Sequence, residues 1–212
     1  MTKTLTIALA ALTLSACAAQ AADDAQPGQD NLKSRLGARE TLALERTSSV
    51  HMGVRETDAA MDNMSPSVLG GHTTMRATSD GFVIVEALSI DLSDVSIDKQ
   101  WPSPHTVELT AIQLRLGSHL AIDAEWVGDR ATGVGRADLL MDWAMRTDDG
   151  EILPLATQRA RDVELTVDVR MAADGTISGN VTASVAGQIW RFTGIEVHDL
   201  ALVLNASTSA PL

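Results

Sequence analysis

Residues 162–185 read DVELTVDVRMAADGTISGNVTASV, and the order of apolar and polar side chains in this stretch decides the fold class. Apolar or small residues occupy every second position on both sides of the central AADGT segment. Successive side chains of a β-strand point to opposite faces, so the pattern predicts two strands that each have one buried and one wet face. Asp174 and Gly175 suit a tight turn between them, because Gly adopts a positive φ without steric cost. We therefore expect an antiparallel hairpin.

The same period of two extends outward from this hairpin over most of the chain. It is clear in residues 120–126 and 136–146 and weaker in residues 50–56, 73–78 and 82–92. Short turn sequences rich in Asp and Gly separate several of these segments. The chain is therefore predicted to consist mainly of antiparallel strands that follow one another.

In two predicted strands the phase of the alternation slips. The slips fall between Leu109 and Ile112 and between Val197 and Leu200. Slips of this kind are typical of β-bulges and bends, which curl a sheet. The predicted fold is all-β, with a curved antiparallel sheet that forms either a sandwich or a partly closed barrel.

Two stretches depart from the strand pattern. Residues 57–72 contain two methionines, a proline and a pair of glycines, and they predict a short helix followed by a loop. Residues 93–105 include Trp101 followed by two prolines, which predict an extended connector. Long connections of this kind often carry function, although most only join strands.

The composition limits the classes of partner. The chain has 212 residues, enough for one domain of ordinary size, with 45% hydrophobic and 21% charged residues. A formal net charge of -12 opposes contact with the phosphates of nucleic acids or with anionic lipid headgroups. Nucleic acid is therefore not an expected partner, and attachment to a membrane requires a covalent lipid or an apolar contact.

The first residues have the organisation of a secretory signal. Lys3 precedes an apolar run at residues 5–14, which has the length of a signal h-region and is too short to span a bilayer. The run ends in Leu14-Ser15-Ala16-Cys17, which resembles the lipobox of bacterial lipoproteins. This resemblance covers the signal only. It implies that Cys17 becomes the new N-terminus and carries the lipid anchor, and that Ala18, where Asp is missing, favours sorting to the outer membrane.

Ordinary signal cleavage is the competing interpretation. Ala19-Gln20-Ala21 forms a small-x-small site, and cleavage after it leaves a soluble periplasmic protein that begins at Ala22. We favour the lipoprotein because Cys17, the only cysteine of the chain, stands at the end of the apolar run. A single cysteine forms no internal disulfide, so the core must supply the stability.

The sequence predicts one folded domain behind a tether. Residues 18–29 are rich in Ala, Asp, Gln, Pro and Gly and form a flexible linker with an r.m.s. reach of roughly 20 Å. Residues 30–45 form either a short helix capped by Asp30 or Asn31 or an extended lead-in to the first strand. The predicted boundaries are the signal peptide at 1–16, the lipidated N-terminus with tether and helix at 17–47, a single all-β domain at 48–206 and a C-terminal tail at 207–212.

Patterns for catalysis or metal binding are weak. The histidines lack the close spacing that places two metal ligands on one element; they are His51, His72, His105, His119 and His198. Asp123 and Glu125 share a strand face and are expected to face water. Ser96 and Lys99 match the Ser-x-x-Lys of penicillin-binding enzymes without the Ser-Asp-Asn and Lys-Thr-Gly elements that accompany it there. We therefore expect no enzyme activity, no metal and no cofactor.

Seven methionines beyond the signal add flexible apolar side chains, which either pack the core or line a cavity for an acyl chain. They are Met52, Met61, Met64, Met75, Met141, Met145 and Met171. The predicted function is a non-enzymatic envelope lipoprotein that acts as an interaction or assembly subunit, through its sheet edges or the loop at Trp101. The alternative is a periplasmic protein that binds lipid or another hydrophobic ligand.

Overall fold

The computed structural model describes residues 31–56, 60–99, 105–147, 149–192 and 194–208. One short helix, α1 (Leu32–Gly37), precedes fourteen strands that belong to a single sheet. The strands are β1 (Glu40–Leu44), β2 (Ser49–Glu56), β3 (Asp62–Met64), β4 (Val68–Ala77), β5 (Phe82–Leu92), β6 (Val95–Lys99), β7 (His105–Leu116), β8 (Leu120–Asp123), β9 (Glu125–Val127), β10 (Arg130–Arg146), β11 (Ile152–Pro154), β12 (Gln158–Met171), β13 (Ile177–Phe192) and β14 (Ile195–Ser207).

The sheet closes into a barrel. Its wall follows the order β1-β4-β5-β7-β10-β12-β13-β14, and β14 returns to β1 through the pairs Ala43↔Ser207 and Leu44↔Ala206. All pairings in this circuit are antiparallel. The remaining strands add to the wall: β2 and β3 extend it beside β14, while β6, β8, β9 and β11 pair with single strands. The predicted all-β curved antiparallel sheet is confirmed, and of the two predicted forms the barrel is the observed one.

The interior is filled by the apolar residues of the alternating pattern. In β12, Val163, Leu165, Val167 and Val169 are at most 3% exposed, whereas the side chains between them face outward. The hairpin predicted at residues 162–185 forms as β12 and β13, with Val167 opposite Val181. The same inward alternation continues around the wall, so one apolar core lies inside the barrel.

Both predicted phase slips are bulges. Ala111 has a φ of 51° in β7, and Asp199 has a φ of 49° in β14. The strand register shifts beside each residue, between Asp142 and Ala144 on the partner of β7 and between His198 and Ala201 in β14. A bulge adds one unpaired residue and bends its strand, which lets a sheet of long strands curl and close.

Helix α1 plugs one end of the barrel. The Asn31 side chain accepts a hydrogen bond from the Ser34 amide at 2.8 Å and so caps the helix. Leu32 and Leu36 are fully buried, and the Leu32 amide donates to Asp129 Oδ1 at 3.2 Å. Among the described residues, no helix has the length and hydropathy needed to cross a bilayer.

The boundaries at the N-terminal side differ from the prediction. The helix occupies only Leu32–Gly37 of the predicted 30–45, because Arg39 adopts a φ of 66° and turns the chain into β1. Strand β1 then pairs with β4 and β14, so the barrel begins before residue 48. The predicted helix and the predicted extended lead-in both exist, one after the other.

The helix predicted within residues 57–72 is wrong for the described part of that stretch. Asp62–Met64 forms β3 against β2, and β4 begins at Val68. Pairing with neighbouring strands outweighs the weak helical propensity of this segment. In the predicted connector at 93–105, Val95–Lys99 forms β6 against β7, while residues 100–104 lie outside the described part of the chain.

Two glycines allow β8 to pack closely on the inner face of β10. A Cβ added to Gly133 would overlap Ile122 Cγ2 and lie 2.8 Å from the Asp123 carbonyl oxygen. A Cβ added to Gly135 would lie 2.6 Å from Leu120 Cδ1. The glycine pair therefore serves close packing of β8 on β10.

We expect Gly133→Ala to lower the free energy of unfolding by about 1–3 kcal/mol, because the new methyl group overpacks the contact with β8. Gly37→Ala is the matched control, since no atom lies within 4 Å of a Cβ built there. Urea unfolding followed by circular dichroism measures both variants. Equal unfolding free energies for the two variants would contradict the close packing described here.

Candidate interaction surface

The outer wall of the barrel is charged. Arg130 donates to both carboxylate oxygens of Asp168, at 2.9 and 2.7 Å, and Arg136 donates to Asp162 at 2.9 Å and to Glu164 at 3.0 Å. These cross-strand pairs join β10 to β12 on the side away from the core. Barrels that span membranes place an apolar band on this outer face. The part of the wall formed by β10 and β12 has the opposite polarity, apolar inside and charged outside.

The carboxylates on this wall are held in their charged form. The pKa of Asp138 is lowered chiefly by the hydrogen bond from the Asp162 amide, with Arg159 contributing. The pKa of Asp142 is lowered by hydrogen bonds from Arg115, at 2.7 Å, and from Thr157. Both sites are explained by contacts between neighbouring strands, which indicates a structural role.

The wall opens between β12 and β13. Their pairing ends at Leu165↔Ala183, although β12 reaches back to Gln158 and β13 continues to Phe192. The first half of β12 instead pairs with β10 alone, through Leu139↔Ala160 and its neighbours. We call this gap the edge cleft; it lies between residues 158–164 of β12 and residues 184–192 of β13. Within the described chain, no strand pairs with β13 along this side of the cleft.

A surface depression of about 390 Å³ lies where the edge cleft begins. Its lining includes Glu164 and Thr166 of β12, Thr182 and Ser184 of β13, and Val203 of β14. Val203 is 42% exposed, so an apolar side chain forms part of this open surface. The depression is shallow and lies on the outer wall, so it suits contact with another surface better than enclosure of a small molecule.

Strand β13 differs from the rest of the wall in charge. Residues 177–190, ISGNVTASVAGQIW, contain no Asp, Glu, Lys or Arg, although 21% of the chain is charged. Beneath the cleft, Trp190 of β13 meets Trp143 of β10 edge to face, with ring centroids 6.4 Å apart. Both rings are at most 3% exposed. The core therefore stays sealed under the cleft, and what opens to solvent is the edge of β13.

An ion-pair cluster fixes the far end of β13 and β14. Glu196 of β14 is 5% exposed and accepts from Arg55 of β2 at 2.9 Å, with His198 Nε2 at 3.3 Å and Arg191 Nε at 3.8 Å. The hydrogen bond from Arg55, followed by that from His198, lowers the pKa of Glu196 below its ordinary value of 4.5. The cluster ties β2, β13 and β14 together next to the edge cleft.

The structure places the sequence candidates apart from one another. Cys17 and Trp101 lie outside the described residues. Asp123 and Glu125 are exposed, as expected for solvated side chains. Ser96 is exposed on β6. Within the described ranges, no three His, Cys, Asp or Glu side chains are grouped as metal ligands would be.

The histidines and methionines also separate by position. His51 Nδ1 lies 2.6 Å from Ser65 Oγ, and His198 belongs to the Glu196 cluster. Met52, Met75 and Met141 are buried core residues, at most 4% exposed. The methionines at 64, 145 and 171 are partly buried against the same core. Packing, the first of the two predicted uses of methionine, accounts for these six positions.

Sequence reasoning missed the edge cleft and the Glu196 cluster. The uncharged run at 177–190 was a visible signal for the cleft, but only the strand order shows that it borders an open edge. The cluster joins residues 55, 191, 196 and 198, and its most distant members are more than a hundred positions apart in the chain. No local pattern relates them.

We expect Glu196→Gln to lower the free energy of unfolding at neutral pH by removing the ion pair with Arg55. The pKa of Glu196 is lower in the folded chain, so its contribution is full above about pH 4.5 and is lost as pH falls through the folded value. The difference between wild type and variant should therefore narrow as the pH falls below the ordinary value of 4.5. Urea unfolding at a series of pH values above and below 4.5 measures it, and parallel stability curves would refute the assignment.

Comparison with known proteins gives little beyond this description. No protein family model matches the chain, and no curated protein matches it. Two crystal structures of Ail, the attachment invasion locus protein of Yersinia pestis, are similar in fold at TM-scores of 0.45 and 0.44, with 5% and 4% identity. One of them is a complex with the heparin analogue sucrose octasulfate. Both matches cover 80% of this chain and 97% of Ail. The assignment of the barrel rests on the strand pairing observed in the chain itself.

Proposed function

We propose that this protein is a lipid-anchored envelope lipoprotein that acts as a non-enzymatic interaction subunit. The observation that carries the proposal is Leu14-Ser15-Ala16-Cys17 at the end of an apolar run of signal length. Lipid on Cys17 would hold the barrel at the outer membrane, facing the periplasm. The open edge of β13 supplies a surface for a partner.

The polarity of the barrel supports a covalent anchor. Ion pairs such as Arg130 with Asp168 lie on the outer face of β10 and β12, which is unsuited to contact with lipid tails. The end of the barrel at α1 carries Asp80, Asp123, Glu125, Asp129 and Asp174 beside Lys33, Arg35 and Arg39. Acidic side chains outnumber basic ones in this set, so anionic headgroups do not attract this end and a lipidated tether would have to hold it at the bilayer.

The tether joins the barrel at a firmly held point. Leu32 and Leu36 are fully buried, and Arg35 pairs with Glu40 at 2.8 Å. Lys33 Nζ lies 5.7 Å from the centre of the Trp126 ring, whose Nε1 donates to the Gly81 carbonyl at 2.7 Å. A force that acts on the N-terminal segment would therefore be transmitted to the barrel wall through α1. This arrangement suits a domain that is anchored through its N-terminus.

The packing of the interior favours an interaction subunit over a carrier of hydrophobic ligands. A carrier needs room inside the barrel, as in barrels that hold one small ligand. Here not even a methyl group fits at Gly133 or Gly135, and Met75 and Met141 are fully buried in the core. The surface depression at the edge cleft lies outside this core.

We expect Cys17→Ser to abolish lipidation, which moves the protein from the membrane fraction to the soluble fraction or leaves the signal uncleaved. The measurement is intact-mass spectrometry with fractionation of the expressing bacteria. Ala18→Ser is the matched control, since it keeps the cysteine and should retain both the acyl mass and the membrane location. A wild-type mature chain that begins at Ala22 and carries no lipid would overturn the anchor.

A further inference from the structure

The open edge of β13 is the surface of the molecule that most needs a partner. An edge strand presents a row of unpaired N–H and C=O groups, and natural proteins shield such edges with charged side chains or prolines. The cleft-facing stretch from Ser184 to Trp190 has neither, because its sequence is SVAGQIW. Ser184, Ala186 and Gln188 are exposed there. The stretch is irregular at Ala186 and Gly187, where the register with β14 shifts and Gly187 has a φ of 86°. Apart from this bulge, the edge lacks the charges and prolines that usually protect an unused edge.

We infer that two copies of this chain associate by antiparallel pairing of their β13 edges. Backbone pairing of identical antiparallel strands is self-complementary about a two-fold axis, as closed dimers require. The inference goes beyond the proposed function and does not depend on the lipid anchor.

Charge selects this edge as the place where two copies meet. Each chain carries a formal charge of -12, so most approaches between copies are repulsive. Residues 177–190 and 200–208 carry no charged side chain, so β13 and the second half of β14 form a neutral strip on the wall. Like charges directly opposite each other destabilise a strand pair, and along this strip none meet.

The ends of the edge are complementary in charge. Arg191, 60% exposed, lies at the far end of β13, and Glu164, 57% exposed, lines the depression where the cleft begins. Antiparallel pairing brings the far end of one β13 beside the near end of the other. Arg191 of each copy then approaches Glu164 of its partner, so the two-fold axis adds two matching contacts to the ion pairs that Arg191 and Glu164 already make with Glu196 and Arg136.

The course of β12 leaves room for this contact. Asp162 has a φ of 53°, and the register between β10 and β12 shifts beside it. Before this bulge β12 follows β10, while β13 continues with β14. The two strands separate at the level where Ser184 is exposed. A second strand therefore reaches the edge of β13 from outside the barrel.

Cysteine cross-linking tests the pairing. Single cysteines replace Ser184, Ala186, Gln188 or Arg191, in the native chain and in Cys17→Ser, and oxidation traps copies whose Cα atoms lie within about 7 Å. Antiparallel pairing about a centre near Gln188 places the two Gln188→Cys side chains together and separates the two Ser184→Cys positions by roughly 27 Å. We expect strong dimer formation at one central position and little at the ends. Val134→Cys, exposed on β10, is the control and should stay monomeric.

Each outcome of the scan decides something. Equal cross-linking at every edge position would indicate parallel pairing and overturn the antiparallel arrangement, and a monomer at all positions would overturn the dimer. A protein that cross-links as expected while Cys17 carries no lipid would leave the dimer standing and remove the anchor. A lipidated protein that stays monomeric would support the anchor and rule out the dimer.

A charge at the edge provides a second test that leaves the core untouched. We expect Gln188→Lys to weaken dimer formation about tenfold, because the two lysines lie directly opposite each other at the centre of the pair. Val134→Lys is the matched control on β10 and should leave association unchanged. Sedimentation of the Cys17→Ser background measures both, and circular dichroism verifies that the variants are folded. Unchanged association of Gln188→Lys would contradict an interface at this edge.

Discussion

Closure of the barrel depends on β1, a strand of five residues that pairs with β4 on one side and β14 on the other. Its ladder to β14 consists of two residue pairs, continued by the hydrogen bond from the Glu45 amide to the Asn205 carbonyl at 2.7 Å. Without the pairing of β1 with β14, β4 and the end of β14 beyond Val203 would be open edges of a long sheet with a bare apolar face. Leu42 and Leu44 of the same strand are fully buried, so β1 both closes the wall and contributes side chains to the core.

The pairing of β1 with β14 forms because the long strands bend. Ala111, Asp162 and Asp199 adopt positive φ, a conformation that costs non-glycine residues roughly 1–2 kcal/mol each. Burial of the core offsets this cost, since a closed barrel removes both edges and one whole face from water. The bulge at Asp162 has a second effect, because β12 beyond it follows β10 and leaves β13. The edge cleft is thus a consequence of the curvature that closes the rest of the wall.

Much of this architecture is contained in local sequence patterns. Alternation alone gives residues 162–171 of β12, residues 177–185 of β13 and most of β10, and two of the three non-glycine bulges within strands appear as phase slips. The pair Ala186-Gly187 has the composition of a turn, yet β13 continues through it to Phe192. The third, at Asp162, is hidden because residues 158–162 contain only Ala160 as an apolar marker. The short strands β1, β3 and β6 have too few residues for a period and exist only through their partners. The edge cleft is likewise a property of strand order, which no single segment encodes.

The proposed anchor and the proposed β13 pairing together restrict how two tethered copies would lie on a membrane. The two-fold axis of an antiparallel strand pair is perpendicular to the sheet, so it points the α1 ends of the two barrels in opposite directions. Both tethers start from the same bilayer only if this axis lies along the membrane normal, with the barrels side by side and parallel to the surface. Two of the proposed lipid anchors on one rigid body would hold it more firmly than either alone, because the second insertion would take place at high effective concentration. Dimerisation through β13 would therefore strengthen the membrane attachment that the proposed anchor would provide, without any contact between the barrel wall and lipid.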